Sequence, residues 1–172
     1  MLFSLSSLLY PPLCLSCDGL LEEDEKHLCQ ACMDLLVPLD PIAHCIYCLR
    51  CLESEKFRVC PECRGKRSVF KEISSVFPFS GPAGSLIKGL KYNQQPYLAE
   101  SIASWIFVQW ESLKWPSPDA IVPVPLSWIK MNRRGYNQTA LIAKQLAQYM
   151  KIPVLDCLQR SSLSKSQAGL KK

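Results

Sequence analysis

Four C-x-x-C pairs constrain this chain more than any other feature: Cys14/Cys17, Cys29/Cys32, Cys45/Cys48 and Cys60/Cys63. The gaps between successive pairs are 11, 12 and 11 residues. Two thiolates two residues apart can grip one face of a tetrahedral Zn2+, and a second such pair closes the site. Eight cysteines therefore make two structural four-thiolate sites. The simplest pairing is sequential, with the first two pairs on one ion and the last two on the other. An interleaved pairing satisfies the same spacing. Disulfide and redox readings compete with metal, but four evenly spaced pairs favour zinc. Cys51 forms a competing pair with Cys48 and is taken as the spare, while His27 and His44 beside the cysteines read as surface residues.

A metal reading also fits the compartment. The start, M-L-F-S-L-S-S-L-L-Y-P-P, is apolar but has no basic leader region and no small-residue cleavage site. It is too short to span a bilayer and reads as a short packed helix ending at Pro11-Pro12. The expected location is cytoplasmic, where paired cysteines bind metal before they form disulfides.

Charge divides the chain. Residues 1–65 carry five Lys/Arg against ten Asp/Glu, and residues 66–172 carry fifteen against five. An acidic run at Glu22-Glu23-Asp24-Glu25, added to the negative charge of a zinc site made of four thiolates, should repel DNA phosphates. The cysteine-rich part is therefore expected to be structural or to contact protein.

Lys66–Lys71 reads as a linker, Ile73–Phe79 as an edge strand, and Ala83–Tyr92 as a short helix. Leu98–Leu113 has a helical apolar stripe, in which Trp105 and Trp110 read as packing residues rather than ligand-stacking ones. Asp119–Val124 reads as a buried strand, Pro125–Tyr136 as a polar loop carrying Arg133, Arg134 and Gly135, and Asn137 as the opening of a helix to Met150. Ile152–Leu158 reads as the next parallel strand, which makes 119–158 one right-handed β-α-β unit. A strand, a basic loop and a helix N-terminus together can hold phosphate, because backbone N–H groups and the helix dipole face the anion. The alternative for the arginine pair is an ordinary solvated patch.

These residues together resemble the ComF competence-protein family. The match rests on Pro-Pro-x-C-x-x-C, the four cysteine pairs, Leu90-Lys91-Tyr92, I-V-P-V-P-L, N-R-R-G-Y-N-Q-T and the S-Q segment within Arg160–Leu170. The resemblance covers essentially the whole chain. It implies an α/β fold: a parallel-sheet phosphoribosyltransferase-like domain over 67–172, preceded by an N-terminal helix and double zinc ribbon over 1–66. It implies 5-phosphoribosyl-1-pyrophosphate (PRPP) with Mg2+ as ligand, and a glycosyltransferase class of chemistry. On that resemblance Lys91, Arg133, Arg134, Gly135, Asn137 and Gln138 contact the pyrophosphate, and Arg160–Lys172 begins a flexible closing loop.

One departure stands against this. The family's strand with two acidic residues and a Thr-Thr-Gly turn, which grips the ribose 5-phosphate, occurs nowhere after residue 70. The phosphoribosyltransferase part is therefore expected to be incomplete at its C-terminal, PRPP-binding end. The chain is expected to bind pyrophosphate weakly and to show no turnover alone, because an unpositioned ribose forfeits much of the barrier reduction. The competing expectation is non-enzymatic: a zinc-ribbon adaptor in DNA uptake, partnered by a competence helicase or a single-strand-binding protein. Its basic half would touch single-stranded DNA electrostatically.

Overall fold

A computed structural model describes residues 11–54 and 56–160. The expected N-terminal helix and the S-Q segment lie outside these residues. The chain divides into two compact units, 1–88 and 89–172. The boundary expected at 66/67 falls inside the first.

The first unit is built by one hydrogen-bond pattern used twice. In the first copy, Cys14 N donates to Gly19 O (2.8 Å), Asp18 N to Cys14 O (3.0 Å), Leu15 N to His27 O (3.0 Å) and Leu21 N to Pro12 O (2.9 Å). In the second, Cys45 N donates to Arg50 O (2.9 Å), Leu49 N to Cys45 O (2.9 Å), Ile46 N to Arg58 O (3.0 Å) and Leu52 N to Ala43 O (2.8 Å). Every partner is displaced by 31 residues. The antiparallel bridges Leu13–Leu20 and His44–Cys51 keep the same offset. So do the left-handed residues Asp18 (φ 59°) and Leu49 (φ 61°), which turn the chain after each pair of thiols. The first copy ends in a short helix, α1 (Gln30–Asp34).

Among the described residues of 11–80 the buried ones are four cysteines and Leu28. So small an apolar core cannot offset the conformational entropy of ordering the chain. The fold of this segment therefore leans on its cysteines being tied together.

Ile73–Phe79, expected as a strand, is not one. It touches the ribbons through single bonds, Ile73 N to Ile46 O (2.7 Å) and Leu39 N to Val76 O (2.8 Å). Ser75 Oγ bonds Phe77 O (3.0 Å) in a local turn, and Pro78 has no N–H to continue a ladder.

Helix α2 (Gly81–Tyr92) runs across the division into the second unit. There α3 (Leu98–Leu113) and α5 (Gln138–Met150) pack on each other. Leu98, Ala99, Ile102 and Ala103 of α3 and Ala143 of α5 are buried. The Phe107 and Tyr149 rings lie 5.8 Å apart, and Trp110 stacks on Phe107 at 6.1 Å. Trp110 is thus a packing residue.

The expected β-α-β unit is reduced to its minimum. Its parallel pairing is one bridge, Ile121–Val154, made by Ile121 N to Pro153 O and Leu155 N to Ile121 O, both 2.9 Å. Pro123, Pro125 and Pro153 remove the donors a longer ladder would use. Among the described residues the remaining β-structure is the pair of antiparallel bridges in the ribbons. A second correction concerns 125–136. It is not a continuous loop but contains a helix, α4 (Trp128–Arg134), closed by Gly135 at φ 81°.

Candidate metal centres and basic motif cluster

The two sequence copies create two cages. The sulfurs of Cys14, Cys17, Cys29 and Cys32 all lie within 4.8 Å of one another, as do those of Cys45, Cys48, Cys60 and Cys63. The pairing is therefore sequential. A tetrahedral Zn2+ with Zn–S bonds of about 2.3 Å requires S···S separations of about 3.8 Å. Cys17 and Cys29 are 3.7 Å apart, and Cys48 and Cys60 are 3.6 Å apart. Both sets fit zinc in donor type, number and spacing. Cys51 lies outside the second cage, at the position Leu20 takes in the first, with its thiol toward Leu52 O at 3.9 Å. His44 bonds Asp40 O through Nδ1 (2.7 Å), and His27 gives its backbone oxygen to Leu15.

Electrostatics inside the two cages match as well. Burial pushes the Cys14 thiol up, but the backbone N–H groups of Cys29, Ser16 and Cys17 outweigh it and bring it down to about 6. Cys45 is brought to about 6 in the same way by Cys60, Tyr47 and Cys48. Burial, reinforced by neighbouring thiols, holds Cys32 up at about 12. In the second cage the thiols of Cys48 and Cys60 hold Cys63 up at about 12. One thiolate per cage is thus ready to bind and another is held back, by burial at Cys32 and by neighbouring thiols at Cys63, a conflict that a divalent cation removes.

The second unit gathers two separated motifs. Tyr136 donates its hydroxyl to Leu90 O at 2.7 Å, satisfying a carbonyl in the last turn of α2. Burial raises the Tyr136 hydroxyl's pKa against the opposing charge of Arg134. Arg134 lies over the Tyr92 ring at 5.7 Å and hydrogen-bonds Gln138 Oε1. Leu90-Lys91-Tyr92 and Arg133–Gln138 therefore meet, with Lys91 in the last turn of α2. Arg133 is exposed.

Asn137 caps α5 by accepting from Thr139 N (3.1 Å). Its Nδ2 donates to Val124 O (3.2 Å), and Thr139 Oγ1 donates to the same oxygen (2.6 Å). The helix N-terminus is thereby anchored to the extended 121–124 segment. One detail departs from the expected phosphate loop. Arg133 and Arg134 occupy the last turn of α4, whose dipole they favour there, rather than an open loop.

No family model and no solved structure matches the chain. It is similar to "Competence protein F" of Haemophilus influenzae, 26% identical over 162 residues, covering 91% of this chain and 69% of that protein. It is also similar to "DNA utilization protein YhgH" of Salmonella typhi, 30% identical over 96 residues, covering 53% of this chain and 42% of that protein. The two matches support the ComF resemblance carried by the sequence motifs.

Two features of the chain were not apparent from the sequence. The 31-residue duplication was visible in the cysteine spacing, but the matching turns at Asp18 and Leu49 share no residue type. Helix α4 was hidden by its polar, basic C-terminal half, although Gly135 just past Arg134 was a usable stop signal. Among the described residues, no helix is long and apolar enough to cross a membrane.

Proposed function

We propose that this chain acts in competence or DNA uptake, and that its second unit is a phosphoribosyltransferase-like fold that takes the pyrophosphate end of PRPP with Mg2+. The printed names of its two relatives support the first part. One observation supports the second: Leu90-Lys91-Tyr92 and Arg133–Gln138, 41 or more residues apart in sequence, are held together by Tyr136 and Arg134. Lys91, Arg133 and Arg134 supply charge, Gly135 allows close backbone approach, and Asn137 and Gln138 orient the start of α5. The cations would neutralise the departing pyrophosphate, as positioned charge does in such reactions. The parallel pairing at Ile121–Val154 would be the seed of that fold's sheet. The two cages hold structural Zn2+.

Titration calorimetry with PRPP and Mg2+ tests this. Binding by the native chain should be lost in Arg133→Ala/Arg134→Ala. Unchanged affinity in that variant would overturn the assignment of the pair.

A second reading, a non-enzymatic adaptor touching single-stranded DNA, moves the expected contact from the basic C-terminal half to the second ribbon, whose surroundings are basic where those of the first are acidic. Residues 43–67 carry six Lys/Arg against three Asp/Glu, and Phe57 is exposed beneath the Arg64 guanidinium at 5.0 Å. Salt-sensitive binding of a labelled oligo-dT, unaffected by PRPP, would favour it.

A further inference from the structure

The two cages match in spacing and backbone pattern, and the largest contrast between them is in what surrounds them. That difference is large. Residues 12–36 carry one Lys/Arg against six Asp/Glu, while the matching residues 43–67 carry six against three. Loading zinc into four thiols expels protons and leaves a cage with two net negative charges. Acidic surroundings oppose that change and basic surroundings favour it.

Position by position the contrast is structural as well. Glu25 accepts from the backbone N of Gln30, the residue after ligand Cys29, and from Glu22 N at 2.8 Å. A carboxylate is thus pinned against the first cage. Thirty-one residues on stand Lys56 and Pro61, a cation and a residue with no N–H. Conversely, Arg50 and Glu62 form an ion pair joining the two cysteine pairs of the second cage. Their counterparts are Gly19 and Ala31, which can form none. The second cage is also braced by Ile73 N to Ile46 O (2.7 Å) and by Arg58 with Glu72 (3.3 Å). Among the described residues, no backbone bond to Leu15 O, the counterpart of Ile46 O, matches that brace.

We propose that the two cages hold zinc unequally: Cys14–Cys17–Cys29–Cys32 is the exchangeable site and Cys45–Cys48–Cys60–Cys63 the permanent one. The proposal rests on both cages taking zinc. A metal-sensitive element thus lies in the first copy alone, and the second keeps its fold while the first is emptied.

The test uses the full zinc-loaded chain in excess EDTA, with released zinc followed by a chromogenic chelator. The chain should release one zinc at least about tenfold faster than the other, the ratio that a difference of about 1.4 kcal/mol would give. N-ethylmaleimide added after the fast phase should label the four cysteines of the first cage and spare the four of the second, as read by peptide mass mapping. Arg50→Gly/Glu62→Ala, which gives the second cage the first one's residues, should speed the slow phase and leave the fast phase unchanged. Release of both ions in one phase, or early labelling of the second cage, overturns the inequality. A folded chain carrying no zinc overturns the premise instead.

Discussion

Gly135 separates two explanations of the same residue. It sits at φ 81°, closing α4 by donating its N–H to Met131 O at 2.7 Å. A Cβ built there meets nothing within 4 Å. Replacing Gly135 by Ala therefore adds no clash, and its cost is the left-handed backbone alone, about 1 to 2 kcal/mol for an L-residue. Asn tolerates that conformation better and should lose less. The four tryptophans of the chain, at 105, 110, 115 and 128, all lie in the second unit, so urea unfolding followed by tryptophan fluorescence reports on that unit. With a urea slope of about 1 kcal/mol per molar for a unit this small, Gly135→Ala should lower the midpoint by about 1 to 2 M, and Gly135→Asn by a smaller step. An Ala variant as stable as the native chain would refute the backbone argument. The same proteins test ligand approach. If Gly135 serves only as a helix terminator, Gly135→Asn retains pyrophosphate binding. If the backbone must approach the anion closely, both variants lose it.

Three further outcomes follow from the geometry. Cys51→Ser should keep two zinc ions per chain by elemental analysis, whereas Cys48→Ser should drop to one, since only Cys48 belongs to a cage. Zinc binding to the first cage at about pH 7 should release at least two protons and fewer than four, measured by calorimetry in buffers of differing ionisation enthalpy. Cys17 and Cys32 are raised above the ordinary 9.0 and must deprotonate, while Cys14, lowered to about 6, arrives mostly ionised. Protons compete with the metal, so apparent affinity should climb as pH rises from about 6 to about 9. Asn137→Ala removes the α5 cap and the bond to Val124 O, and should cost the second unit about 1 to 2 kcal/mol in the same urea assay.

The two candidate metal cages were legible in the sequence because thiolate clustering depends on local spacing. A C-x-x-C pair shapes its own turn, and eight ligands at regular gaps leave few arrangements. Long amphipathic helices were legible for the same reason: α3 and α5 carry their burial pattern within a few residues, and Asn137 caps α5. What remained hidden was decided at longer range. Which pairs share an ion depends on how the two turns approach, and only the fold shows the sequential choice. Ile121 and Val154 were read as parts of two strands, but proline at 123, 125 and 153 leaves donors for a single bridge. Arg134 was read as a charge on an open loop. Its place in the last turn of α4, over Tyr92 and against Gln138, needed the chain to bring residues 92 and 134 together. Spacing alone determined what this chain can chelate. Tertiary contact decided which thiols share a cage, and which motif the arginines join, because both depend on contacts between residues far apart in the sequence.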